Sequence, residues 1–174
     1  MSLGGGKFSG HCDSLNPSLT AIIETLRAQG VAVGIASGNN GWNGSLSSPG
    51  CVSAAVTVGS TTKSDALSSF SNHEGAVDLL APGSSIRSAS ASGNRRALIV
   101  KSSASMAMPH VTGAFVLLKS DKPAATVNQI ERALACTGKR VSRNNLPRPR
   151  IDMFVALKYL RAAPVISCGW RTSS

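Results

Sequence analysis

The chain is 174 residues, 42% hydrophobic and 15% charged, a size and apolar content that suit one globular domain and exclude disorder for the whole. No apolar stretch approaches the roughly 18 residues a membrane-spanning helix needs, and the start MSLGGGKFSG lacks the charged and apolar regions of a secretory signal. The net charge of +10 is uneven: residues 119–174 carry 11 basic and 3 acidic groups, so +8 of it lies in the last third.

The first predicted element runs from Asn16 to Gly30. Asn16 can cap, Pro17 suits the first helical position and Gly30 can close the C-terminus. Leu19, Ile22, Ile23 and Leu26 fall at i, i+3, i+4 and i+7, which defines one apolar face. Val31 to Ala36 follows as a short apolar run, read as a strand buried on both faces, and Ala54 to Gly59 and Ala76 to Leu80 have the same character. A helix leading at once into a buried strand points to a parallel α/β sheet. Ser105 to about Ser120 reads as a helix buried nearly all round, interrupted by Pro109. Helices near Thr126–Cys136 and Ile151–Leu160 are separated by GKRVSRNNLPRPR, read as a basic surface connection.

Seventeen Gly and abundant Ser with 4% aromatics favour tight turns over stacking platforms, which weakens single-strand nucleic-acid binding. The four Cys form no C-x-x-C pair, so no structural zinc site is expected. Two disulfides, or free buried thiols, both fit them.

Two loops offer groups suited to acyl transfer. Ala36-Ser37-Gly38-Asn39-Asn40-Gly41 leaves the carboxyl end of a predicted strand, the edge at which open α/β sheets bind ligands. Ser103-Ala104-Ser105 opens the buried helix, where a hydroxyl stands beside unpaired N–H groups and the dipole favours developing negative charge. Taken singly, each has a plain structural reading as a cap or a turn.

Together they resemble a known family. SASMAMPHVTG looks like the nucleophile motif G-T-S-M-A-x-P-H-V-x-G of subtilisin-like serine proteases, and ASGNNG is similar to that family's oxyanion loop. MSLGGG resembles its substrate-binding strand, and VTVGSTTKSDALSSFSNHEGAVDLLAPG matches the stretch between oxyanion loop and nucleophile. The four motifs stand in the right order and cover the chain to about residue 160. The resemblance implies a three-layer α/β fold with a mostly parallel sheet flanked by helices, here N-terminally incomplete. Residues 1–162 would be a partial catalytic domain and 163–174 a C-terminal tail.

Carried over by position, Ser105 is the expected nucleophile of an endopeptidase working through an acyl-enzyme. Asn39 is the expected side-chain donor of the oxyanion hole, beside the Ser105 backbone N–H. Loss of such a donor costs on the order of 10²–10³ in rate in the family's prototype. Ser2, Leu3 and Gly4 would pair with an extended peptide by strand addition. Ala36, Ser37 and Gly38 would line the pocket for the side chain before the cut bond. Met106, next to Ser105, implies sensitivity to oxidation.

The family's base and orienting carboxylate precede the strand that MSLGGG resembles, so the expectation is a C-terminal part of a catalytic domain, with Met1 internal or a late start. His110 lies five residues past Ser105 on one helix, rotated by about 140° and displaced by roughly 7.5 Å, so it cannot be the base and reads as a core histidine. His11 and His73 read as solvated loop residues. Without its base the chain is expected to be nearly inactive, since that loss costs about 10⁶ in turnover in the prototype. Ser103 in place of Gly, and Ala104 in place of Thr, also depart from the motif.

The remaining expectations are of lesser weight. No cofactor is required. Asp78 aligns with a carboxylate that helps bind calcium in some members, with carbonyls here from Ser53 and Ala55; capping or a solvent-facing strand end is the plainer reading. Cys12 with Cys51, and Cys136 with Cys168, are the expected disulfide pairs if bridges form. The implied partners are an extended polypeptide and a propeptide or protein inhibitor, with no nucleic acid and no membrane, in a monomer when complete. The family implies secretion. Two alternatives stand beside the protease: a catalytically dead peptide-binding module, and a basic protein binding anionic surfaces through Arg140, Arg143, Arg148 and Arg150, for which a solvated face is the plainer account.

Overall fold

A computed structural model describes residues 1–91, 97–162 and 168. In chain order the strands are β1 (Lys7–Phe8), β2 (Gly34–Ala36), β3 (Leu46–Ser47), β4 (Val56–Thr61), β5 (Leu79–Pro82), β6 (Ile86–Ala89), β7 (Leu98–Lys101), β8 (Lys139–Arg143) and β9 (Leu146–Arg150). The helices are α1 (Pro17–Ala28), α2 (Ala104–Asp121), α3 (Val127–Thr137) and α4 (Met153–Arg161).

Helix α1 begins and ends as its sequence dictates. The Asn16 side chain accepts from Leu19 N at 3.2 Å, and Pro17 occupies the first turn. At the other end Gly30 N bonds Arg27 O and Val31 N bonds Leu26 O, the paired closure that terminates a helix on a glycine. Val31 is thus spent on the helix end, and the strand predicted from Val31 is regular only over Gly34–Ala36.

The central sheet has the order β2-β4-β5-β9-β8, with β2, β4, β5 and β9 parallel and β8 antiparallel at the edge. Both of its faces are covered. Val56, Val58, Leu79 and Ala81 join Ala107, Val111, Phe115, Leu118, Ile130 and Leu134 of α2 and α3 in one core. Leu80 faces the other way, into a second core with Ile23 of α1, Ile35, Leu46 and Val77. Alternation along β5 therefore builds the three layers expected from sequence.

The segment read as a surface connection is instead the β8–β9 hairpin. Asn144 and Asn145 take φ of 51° and 58°, the left-handed pair that a tight two-residue turn requires. Pro147 and Pro149 pair with Ser142 and Arg140, alternating with the Arg143–Leu146, Val141–Arg148 and Lys139–Arg150 pairs. A strand can carry proline where the ring replaces an N–H that is not needed for the neighbouring ladder.

Cys12 is bonded to Cys51 and Cys136 to Cys168, with Cα separations of 5.3 and 5.7 Å. The proposed tail, 163–174, lies outside the described residues apart from Cys168. No helix among the described residues is long and apolar enough to cross a membrane.

Candidate active site

Ser105 is the second residue of α2, a helix held by Ala104, Ala107, Val111, Ala114, Phe115 and Leu118 against the sheet. Pro109 has no N–H with which to bond the carbonyl four residues back, so Ser105 O is left open. Ser2 Oγ approaches that carbonyl to 3.5 Å, the outer limit of a hydrogen bond.

Asn39 reaches the same place from the loop after β2. Its Oδ1 accepts from Ala104 N at 2.7 Å, which fixes the amide plane and leaves Nδ2 as its donor. The loop can turn there because Gly38 has φ of 108°, and a Cβ on it would fall 2.2 Å from Asn72 Nδ2.

The N-terminal segment closes the third side. Met1 N donates to Gly34 O, and Ala36 N donates to Met1 O at 3.1 Å, so Met1 lies alongside the free edge of β2. Ser2, Leu3, Gly4, Gly5, Ala36, Gly38, Asn39, Asn40, Ser47 and Ser105 then line one cleft of about 320 Å³. Of the eight residues expected to act on or bind substrate, Ser37 alone does not line it. It is fully buried, and its Oγ donates to Asn72 O at 3.2 Å.

Sequence reasoning missed Asn72. It is fully buried, and its side chain templates the loop that carries Asn39. Oδ1 accepts from Asn40 N at 3.0 Å and Trp42 N at 3.1 Å; Nδ2 donates to Ser37 O at 3.0 Å and Ser47 Oγ at 3.1 Å. An amide offers both donors and acceptors, so one side chain satisfies both kinds of backbone group. The signal available was a polar residue between two buried strands, which alone does not separate a hub from a loop.

Two histidine readings are corrected. His110 is exposed, with Nδ1 on Met106 O at 2.8 Å, because α2 turns that face away from both cores. His73 is 2% exposed rather than solvated, because the β8–β9 hairpin folds over it and its Nε2 meets Leu146 O at 2.8 Å. Burial pushes the His73 pKa down, with Arg148 and Arg143 adding to the effect against the Leu146 bond. None of the cleft residues is His, Asp or Glu.

Of the arginines read as a solvated face Arg140 is exposed, and the other three are reassigned. Arg143 donates to Ser68 O at 2.7 Å and Ser71 O at 3.1 Å, Arg148 to Glu74 O at 3.2 Å, and Arg150 and Lys139 pair with Asp65 at 2.8 and 2.9 Å. These cations staple the hairpin to the loop that contains Asn72.

Asp78 is half-buried rather than at a solvent-facing strand end, and its Oδ2 accepts from Thr57 N at 2.7 Å. Burial, then the neighbouring Glu131 charge, pushes its pKa well above its ordinary value. Arg27 pairs with Glu131 at 2.5 Å and donates to Ala54 O at 3.2 Å, so a guanidinium already occupies the carbonyl of the residue between Ser53 and Ala55. Among the described residues no group of three or more His, Cys, Asp or Glu is arranged for a metal. An ion at Asp78 would draw its remaining oxygens from main chain and water.

The sequence model of the Subtilase family matches residues 1–150. The chain is 42% identical over 134 residues to the "Extracellular serine proteinase" of Thermus sp. (strain Rt41A), covering 77% of this chain and 30% of that protein. It is 38% identical over 142 residues to "Alkaline serine exoprotease A" of Vibrio alginolyticus, covering 80% and 24%. It therefore spans a third or less of these relatives' length. Among solved structures the prenylagaramide maturation protease PagA superposes with a TM-score of 0.75 at 22% identity, over 91% of this chain and 59% of that one, a likeness of fold. With that family match over most of the chain, on a fold that brings the two motif loops to one cleft, the chain belongs to the subtilase family.

Proposed function

We propose that this chain carries the nucleophile half of a serine endopeptidase site. Ser105 Oγ attacks the peptide carbonyl and forms the acyl-enzyme, while Asn39 Nδ2 and the Ser105 N–H hold the oxygen as it charges. Ser2, Leu3 and Gly4 bind an extended polypeptide by strand addition, and Ala36 and Gly38 line the pocket for the side chain before the cut bond, with the buried Ser37 bracing them from behind through Asn72. A propeptide or protein inhibitor would enter the same groove. No cofactor takes part; calcium, where bound at Asp78, is a structural ion. Two disulfides and a relative named as extracellular support secretion.

The observation that carries the reading is the convergence of three segments remote in sequence on one cleft, with Ser105 at the N-terminus of a buried helix. That cleft has no base among its lining residues, so the isolated chain should turn over peptides barely or not at all. The same observation favours a second reading, a peptide-binding module without catalysis. Treatment with a fluorophosphonate separates the cases. Slow labelling that disappears in Ser105→Ala supports the incomplete protease; no labelling alongside retained peptide binding supports the module. Rapid labelling of the parent chain would overturn the expected inactivity.

A further inference from the structure

The side-chain oxygen of Ser103 occupies a donor that a reacting oxygen would need. Ser103 Oγ accepts the backbone N–H of Ser105 at 3.0 Å, within the range of about 2.7–3.1 Å at which an oxyanion lies from its donor. We propose that Ser103 is a positioning residue that keeps the oxyanion hole filled at rest, so that a substrate oxygen gains the Ser105 N–H only by displacing the Ser103 hydroxyl. This rests on the assignment of Ser105 as nucleophile and of its N–H as an oxyanion donor.

The placement of that hydroxyl is built in. Ser103 N donates to Gly83 O at 2.9 Å and Ser103 O accepts from Met106 N at 2.9 Å, so the backbone is tied on both sides. Gly83 lies so close that a Cβ on it would meet Ser103 O at 2.6 Å. With φ of −175° and ψ of 155° held, the freedom left to Ser103 is rotation of its side chain.

The other first-turn donors are taken as well. Ala104 N–H goes to Asn39 Oδ1 at 2.7 Å and Met106 N–H to Ser103 O. An incoming carbonyl oxygen meets the Asn39 amide first and finds the second donor occupied. A neutral carbonyl exchanges one neutral hydrogen bond for another and gains little. A charged tetrahedral oxygen makes the stronger, charge-assisted bond and can displace the cap. Every adduct therefore gives up one capping interaction, which a glycine at this position would not ask of it.

The 174-residue chain, titrated with a peptidyl boronic acid and followed by ¹¹B NMR, tests this. Ser105 Oγ adds to the trigonal boron, an O–B bond forms, the hydroxyl proton passes to solvent, and the negative charge resides on the tetrahedral boronate with a hydroxyl in the hole. Ser103→Ala and Ser103→Gly should each tighten the adduct about fivefold, the equivalent of one capping bond. Their melting temperature should fall with the loss of the cap, so affinity and stability move in opposite directions. A cap with a purely structural role leaves the adduct unchanged or weaker. Equal binding by parent and both variants, with Ser105→Ala silent, overturns the inference and spares the assignment of Ser105. Tightening confined to Ser103→Gly also overturns it, by assigning the effect to backbone freedom. A boronate signal that survives Ser105→Ala, or none with any variant, removes the assignment itself and the inference with it.

Discussion

Asn72 and Asn39 illustrate how one side-chain type does two jobs. Asn39 is exposed and keeps its Nδ2 on the cleft side of its Oδ1 bond to Ala104 as the donor proposed for a ligand, whereas Asn72 is buried and spends its whole amide on the loop. Replacing Asn72 by Ala takes the acceptor from the partly buried Asn40 N and Trp42 N and leaves Ser37 O with Ser47 N alone. At about 1–3 kcal/mol for an unsatisfied buried group, partly relieved by relaxation, the variant should lose about 3 kcal/mol of stability. Urea denaturation measures that loss, and amide shifts at Asn39 and Gly41 report the loop. A loss below about 1 kcal/mol with unchanged shifts would mean that the loop holds its shape without Asn72. Asn72→Asp keeps the acceptor for Asn40 N and Trp42 N but brings a carboxylate against Ser37 O, so it should fall between parent and Asn72→Ala.

At the scale of elements, the β8–β9 hairpin turns a run of basic residues into a clamp. Arg143 holds Ser68 O and Ser71 O, and His73 holds Leu146 O, so the hairpin fixes the segment on which Asn72 sits. Arg143→Ala should cost about 1–3 kcal/mol by stripping the guanidinium from Ser71 O and from Ser68 O, which keeps Ser71 N, and Arg143→Lys should recover only part of it, since an ammonium cannot span both in one plane. Equal melting temperatures for parent and Arg143→Ala would return Arg143 to the solvated face. The sequence discloses elements whose signals are local. The Asn16 cap, the Gly30 closure and the apolar face of α1 were legible because each lies within a few residues of what it acts on. The hairpin was not, because two prolines and five cations mask the alternation, and Asn-Asn is a weaker turn signal than Asn-Gly. His110 and His73 were misread for a related reason: exposure depends on what folds over a residue, and Leu146 is 73 positions away from His73. The cleft itself was legible through motif resemblance, which carries long-range geometry that local patterns lack.

For the molecule as a whole, the +10 charge is less telling than the two carboxylates buried between the layers. Asp78 and Glu131 lie near each other, and both are pushed up by burial, while Arg27 favours the charged form of Glu131. Asp78 is thus the partner that takes the proton. Its folded pKa lies above its unfolded value of about 3.9, so the folded form binds more protons across the window between the two. The stability this contributes is fully present below about pH 4 and is lost as pH rises through the folded value. Asp65 and Asp121 work in the opposite sense, since the hydrogen bonds from Lys139 and Arg161 depress them, but both are exposed to solvent screening. Asp78→Asn removes the charge and keeps an oxygen for Thr57 N, and Arg27 then has Glu131 alone to neutralise. The variant should be more stable than the parent at pH 8, on the order of 1 kcal/mol, and the difference should close as pH falls to about 4. Thermal denaturation of both proteins from pH 4 to pH 8 measures it. A variant that is less stable at pH 8, or a gap that widens toward acid, would show that the Asp78 carboxylate is held by a cation, whether Arg27 or a bound metal, rather than tolerated as a proton acceptor.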